Sequence, residues 1–346
     1  MRLSIVGRGA VNAVGFSALQ SCTAIRAGIS GYRETDFFHD FEPLEPIIGA
    51  AVPKMWSCEE EPVDRIVAMA ADAITECLST VDTRSASPVV LLGWREPHRA
   101  ELEIPGSAGL LRLIEDRVGV RFHSGSRIVA AGNAAAFTGL SIAEELIESG
   151  AATLCLVGGV DSYLNVFDIT YFETNFRLLG PVVARGFVPG EGAAFVAVTD
   201  VRSFSHSAPL AICGVGLAQE DADVTALSDG HPTGRGMVQA LQAAESRSRI
   251  PESRITFRIS DLNGESYRGI ESMLAGSRFY RTRRERLDIW HPADCVGETG
   301  AAAGALLLIL AEYAMGKGYA PGTVAMCECS ADSGARAACV VEATTG

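Results

Sequence analysis

Short runs rich in Val, Ile and Leu recur along the whole chain, separated by longer small-residue stretches with helical periodicity. Leu3–Val6, Val89–Leu92, Ile128–Ala131, Thr153–Val157, Ala194–Val198, Ile255–Ile259 and Ala338–Val341 read as strands. Asp64–Leu78, Ala134–Glu148, Gly236–Ser246, Ser266–Leu274 and Ala301–Met315 read as helices. Strands apolar on both faces must be covered on both, and intervening helices supply the cover. The alternation therefore predicts an α/β protein with buried sheets. With 346 residues, 48% of them hydrophobic, the chain can build one large domain or two closely packed halves.

An internal echo favours two halves. Ser4-Ile5-Val6-Gly7-Arg8-Gly9-Ala10-Val11 resembles Ala211-Ile212-Cys213-Gly214-Val215-Gly216-Leu217-Ala218, each reading as a strand that ends in G-x-G, with a helix pattern further on. The halves would meet near residues 200–208, giving units 1–204 and 205–346 packed as one. Neither copy completes a G-x-G-x-x-G dinucleotide fingerprint.

Charge and cysteine usage narrow the function. A formal net charge of −13 argues against nucleic-acid binding, which needs a dense basic surface. The longest apolar stretch, Ala301–Ala311, is too short and too rich in small residues to span a bilayer. The start, MRLSIVGRGAV, reaches Gly-Arg-Gly at once, which is wrong for a signal peptide. Cys155, Cys213 and Cys339 lie in apolar strand-like contexts, so buried reduced thiols and a cytosolic setting are expected. Cys327 and Cys329 lack the CxxC spacing of a zinc site, and no metal or cofactor is indicated.

The stretch RIVAAGNAAAFTGL, Arg127 to Leu140, runs from an apolar strand through small residues into a helix pattern. Such a turn holds one side chain up for chemistry, and here that side chain is Asn133. Asparagine tolerates unusual backbone angles but is a poor nucleophile. Either Asn133 caps the helix that begins at Ala134, or its amide hydrogen-bonds a bound acyl carbonyl.

Several segments, in order, resemble the ketosynthases of the thiolase-like superfamily, which condense acyl thioesters. They are IVGRGAVNAVG (Ile5–Gly15), AEELIESGAATLCLVGGVDS (Ala143–Ser162), RGFVPGEGAAFVAV (Arg185–Val198), AICGVG (Ala211–Gly216), SDGHPTGRGMVQAL (Ser228–Leu241) and GETGAAAGALLLI (Gly297–Ile309). The resemblance implies a five-layer αβαβα thiolase-like fold made of two pseudo-duplicated halves. It also implies a dimer paired through the strand near Arg127–Ala131, either with itself or with a cysteine-bearing ketosynthase.

In that family a cysteine, two histidines and a lysine surround one acyl thioester. The cysteine is the nucleophile, raised at a helix N-terminus that lowers its pKa. By the family's spacing the cysteine position falls on Asn133, counted back from Gly150. The histidine positions fall on Asn263, in Asp261-Leu262-Asn263-Gly264-Glu265-Ser266, and on Glu298 after Gly297. The lysine position falls on Ala293, and the C-terminal glycine-rich loop is replaced by Ala331-Asp332-Ser333-Gly334-Ala335-Arg336. All four reactive positions have changed.

Three readings follow. The first is a non-condensing partner subunit comparable to chain-length factors, which an apolar, open pocket without a reactive group would support. The second is altered acyl-thioester chemistry (hydrolysis, acyl transfer or decarboxylation) centred on Glu298 and Asn133. In it, burial raises the Glu298 pKa for acid–base work, whereas the alternative has Glu298 capping the Ala301 helix. The third is condensation from a displaced nucleophile such as Cys295, otherwise a small buried thiol. Glu191, between Gly190 and Gly192, is expected to accept backbone hydrogen bonds and hold its turn. Asp161 and Ser162 are expected to fix loops. His231 and His291 read as turn or surface residues. Arg278, Arg281, Arg283, Arg284 and Arg286 form either a solvated loop or a docking patch for an acyl carrier protein or coenzyme A phosphates.

Overall fold

The computed structural model describes residues 1–40, 44–53, 62–81, 87–97, 99, 106–203, 210–220 and 231–344. The first part of the chain contributes β1 (Leu3–Asn12), α1 (Ala18–Arg26), β2 (Arg33–Phe38), β3 (Pro46–Gly49), α2 (Pro62–Leu78), β4 (Val89–Trp94), α3 (Gly106–Val118), β5 (Arg127–Ala130), α4 (Ala135–Glu148), β6 (Cys155–Ser162), α5 (Val166–Thr174) and β7 (Glu191–Asp200). The second contributes β8 (Leu210–Gln219), α6 (Arg235–Ser248), β9 (Phe257–Ser260), α7 (Ser266–Phe279), β10 (Asp288–Trp290), α8 (Ala293–Val296), α9 (Ala303–Gly316), β11 (Val324–Ser330) and β12 (Ala335–Ala343).

Ten of these strands run β10-β9-β11-β12-β8-β1-β7-β6-β4-β5, and β2 with β3 forms a separate ribbon. Counted outward from the join, one set is β1-β7-β6-β4-β5 and the other β8-β12-β11-β9-β10. The directions repeat as well. The inner strands of each set pair antiparallel and its outer strands pair parallel. The sets touch where Leu3 faces Ile212 and Ser4 faces Ala211. Helices α2 and α3 cover one outer face, α6 and α7 the other, and α4 with α9 pack against strands of both sets, completing five layers αβαβα. Every residue of α9 from Ala303 to Ala314 is buried, as a helix enclosed by two sheets requires. The boundary expected at 204/205 falls among residues outside the described ones.

The echoed G-x-G does not end its strands, as the sequence suggested; both strands run through it. The glycines admit a helix instead. A Cβ on Gly9 would lie 1.9 Å from the Ala73 carbonyl oxygen of α2, and one on Gly216 would lie 1.9 Å from the Ala240 carbonyl oxygen of α6. Each outer helix thus rests directly on strand backbone, at matching places in the two sets.

The inner helices begin alike too. Gly132, at φ +50, leads into a 3-10 turn at Gly132–Ala134 and then α4; Gly300, at φ +51, leads into a 3-10 turn at Gly300–Ala302 and then α9. The 3-10 turns explain why the helices start one and two residues later than their periodicity predicted. Gly9→Ala and Gly216→Ala are each expected to cost about 1–3 kcal/mol in urea denaturation, as overpacking does. Gly269→Ala, on α7 with open space at its Cβ, is expected to raise stability by about 0.5–1 kcal/mol.

Candidate functional site

The elbow between β5 and α4 keeps its form but not the capping role proposed for Asn133. The left-handed angle belongs to Gly132, pressed by Glu96, whose Cγ would lie 2.6 Å from a Cβ there. Asn133 itself sits in the 3-10 turn, and Ala134 caps α4 without a side-chain hydrogen bond. The Asn133 side chain points away from the helix. Its Nδ2 donates to Asp261 Oδ2 and to Glu298 Oε1, both at 3.0 Å.

Asn263 meets the same group from the solvent side. It is half-buried, and its Nδ2 donates to Glu298 Oε2 at 2.7 Å and to Glu265 Oε2 at 3.1 Å. Glu298 also accepts the Gly300 N–H at 2.9 Å, so it holds the turn before α9 while facing both asparagines. Asn133, Asn263 and Glu298 therefore converge. Charged side chains crowd around them.

The central charge is Arg268, projected by α7. Its guanidinium donates to Asp261 at 3.1 Å and lies 3.6 Å from Glu265, 3.8 Å from Glu298 and 3.4 Å from Asp332. Burial works against its charge, but those four carboxylates outweigh burial and push its pKa well above the ordinary arginine value. Arg177 bridges Glu265 and Asp332 from the other side, at 2.6 Å to each. Burial pushes the Asp261 carboxyl up to about 7 and the Glu298 charge adds to this, against Arg268, the Ser330 N–H and Asn133. Asn133 Oδ1 is buried with no hydrogen-bond partner among the described residues.

A second network adjoins the first. Arg99 pairs with Asp161 at 2.7 Å and with Asp168 at 2.8 Å, and Arg95 pairs with Asp168 at 2.6 Å. Asp161 also accepts the Ala301 N–H, which ties β6 to the turn before α9. Glu191 accepts the Val52 N–H and the Ser162 hydroxyl and pairs with Arg65. Gly190 lets the 296–298 segment lie against its backbone, since a Cβ there would sit 2.5 Å from the Val296 carbonyl oxygen. Gly192 similarly abuts the Val11 carbonyl oxygen.

The remaining candidates lie elsewhere. Ala293 and Cys295 belong to α8, and Cys295 lines a cavity that Asn133, Asn263 and Glu298 do not line. Burial, then the Asp294 charge, push the Cys295 thiol up, contrary to what an activated nucleophile needs. His291 pairs with Asp294 at 2.7 Å. The arginine run divides: Arg284 is drawn in by Glu252 and the Ile255 carbonyl, and Arg286 pairs with Asp288. Arg278, Arg281 and Arg283 stay exposed. Among the described residues no group of three or more His, Cys, Asp or Glu could hold a metal ion, and no helix is long and apolar enough to cross a membrane.

Solved structures share this architecture over the whole chain. The ishigamide ketosynthase/chain length factor matches with a TM-score of 0.81 at 18% identity, covering 99% of each chain. A β-ketoacyl synthase from Burkholderia phymatum STM815 matches at 0.77 and 18% identity, covering 99% of this chain and 100% of that one. The fold is that of the ketosynthases. A ketosynthase (ApeO) in complex with its chain length factor (ApeC) from Xenorhabdus doucetiae matches at 0.76 and 15% identity, covering 99% of this chain and 98% of that one. No protein-family profile matches the chain, and no curated protein matches it.

On this ketosynthase fold, sequence reasoning missed the arginines and their carboxylate partners. One signal was present: Arg268, Glu271, Ala275 and Phe279 recur at helical spacing on the buried face of α7, so Arg268 was placed to enter the core. Removing one partner of a buried pair strands the rest, so Arg268→Met is expected to cost about 3–5 kcal/mol in denaturant unfolding. Asp261 binds its proton more tightly folded than unfolded, so its contribution to stability falls as pH rises from about 4 to about 7. Asp261→Asn removes that titration. Relative to the variant, the parent protein is expected to lose on the order of 1 kcal/mol per pH unit in this window, read from melts between pH 4 and 8.

Proposed function

We propose that this chain is a non-condensing, acyl-thioester-binding or partner subunit of fatty acid- or polyketide-type metabolism, comparable to a chain-length factor, that works beside a cysteine-bearing ketosynthase. One observation carries the reading. At the elbow where the resemblance expects a thiol stands Asn133, its amide hydrogens held by two carboxylates. An amide cannot form the acyl-enzyme on which condensation depends. Among the described residues neither a thiol nor an imidazole hydrogen-bonds to Asn133, Asn263 or Glu298. Ketosynthase/chain length factor pairs among the structural neighbours support the same reading.

The outer edge of β5 is unpaired among the described residues, and Arg127 and Ala130 are exposed on it. That edge suits strand pairing with a partner, as the resemblance implies. A heterodimer serves this reading better than a homodimer, since two copies would bring no thiol. The exposed Arg278, Arg281 and Arg283 suit docking of an acidic acyl carrier protein, and one neighbour is a ketosynthase in complex with its acyl-carrier protein. The chain divides into halves 1–204 and 205–346 under this reading. A cytoplasmic setting fits the free, buried cysteines.

Altered thioester chemistry at Glu298 has less support. Asn133 and Asn263 bond to Glu298 directly, at 3.0 and 2.7 Å, which leaves no room for an acyl carbonyl between them. The test is co-expression of the tagged chain with the cysteine-bearing ketosynthases of its source cell, followed by native mass spectrometry. A one-to-one heterodimer is expected, lost when Ala130→Lys places a charge on the pairing edge. Recovery of the chain only as a monomer or an unmixed homodimer would count against the proposal.

A further inference from the structure

A cavity of about 630 Å³ lies between α1 and the turn from β10 to α8. That volume falls within the range of small-molecule sites, about 300–1,000 Å³. None of Asn133, Asn263 and Glu298 lines it, so it is separate from the site described above. Its walls are largely apolar. Trp290 and Tyr319 present rings within 23° of parallel, their centroids 6.1 Å apart. Ile25 and Leu310 extend the apolar surface, and the Cys295 sulfur-bearing side chain, 7% exposed, adds a soft polarisable patch.

The polar groups are few and unequal. Asp294 is engaged by His291 at 2.7 Å. Arg26 stands 4.1 Å over the Tyr319 ring centroid, and among the described residues no carboxylate pairs with it. In a chain of net charge −13, where buried arginines are matched with acids, a rim arginine held on an aromatic face offers N–H donors to an anion. One such cation suits one negative charge rather than a polyphosphate, and it disfavours a cationic ligand.

We propose that this cavity binds a planar aromatic carboxylate, its ring packed against Trp290, Ile25 and Leu310 and its carboxylate on Arg26. Packing against the Trp290 indole favours a flat aromatic ligand over a flexible chain, and the guanidinium fork matches a carboxylate. The reading is independent of the partner-subunit proposal, since it uses none of the same residues.

Titration calorimetry with 2-naphthoate, on the full chain, tests it. Saturable binding is expected, weakened about tenfold or more by Arg26→Gln, which removes a charge-assisted hydrogen bond. The neutral 2-naphthalenemethanol and the flexible decanoate are each expected to bind more weakly than 2-naphthoate. Leu310→Trp, which fills the cavity, is expected to abolish binding. Because that variant alters a buried position, a second readout uses the parent protein: 2-naphthoate should slow N-phenylmaleimide labelling of Cys295, located by peptide mass spectrometry. No binding at millimolar 2-naphthoate would overturn the proposal. So would equal binding of the alcohol or decanoate, insensitivity to Arg26→Gln, or unprotected Cys295 at saturation.

Discussion

Charge neutralisation among buried side chains governs the centre of this molecule. Arg268 is buried among Asp261, Glu265, Glu298 and Asp332, and Arg177 bridges two of the same carboxylates, so charges of opposite sign offset each other's burial. Removing either side leaves a stranded charge whose desolvation nothing offsets. The partners come from α7, from the loops after β9, α5 and β11, and from the turn before α9. One mutual requirement therefore fixes the relative placement of five segments. Asn133 and Asn263 complete the arrangement by donating to the carboxylates of Asp261 and Glu298 beside Arg268.

The scaffold that brings these segments together is a repeated one. Each set of five strands admits its outer helix over glycines and launches its inner helix from a left-handed glycine through a 3-10 turn. The two inner helices lie side by side between the sheets, so their starting turns meet, and the elbow at Asn133 faces the turn at Glu298. A turn of this form brings its side chain to the meeting point of the two strand sets. Its chemistry depends on what stands there, and here that is an amide among carboxylates.

Much of the architecture was legible in the sequence because its causes are local. Runs of Val, Ile and Leu mark strands whatever their neighbours, and the echoed G-x-G marked the two strands that an outer helix must approach. The same locality misled where the glycines were taken as strand ends, since their reason is a carbonyl more than 20 residues away in sequence. The convergence of Asn133, Asn263 and Glu298 came from the resemblance. What surrounds them did not, because an arginine's burial depends on carboxylates scattered from Asp161 to Asp332. Asn133 read as a cap by its position alone, and it fails as one because it sits inside the 3-10 turn, its Nδ2 held by carboxylates from distant segments while its Oδ1 bonds no N–H among the described residues.

The central proposal is that the elbow carries no nucleophile able to form an acyl-enzyme, an amide standing there in place of a thiol. Intact-protein mass spectrometry after incubation with a panel of acyl-coenzyme A and acyl-carrier thioesters, reading protein mass and free thiol together, tests it most directly. The account predicts an unchanged mass and no thiol release above the uncatalysed rate across the panel. A stable acyl adduct on any residue, or catalytic thiol release lost in Glu298→Gln, would contradict it.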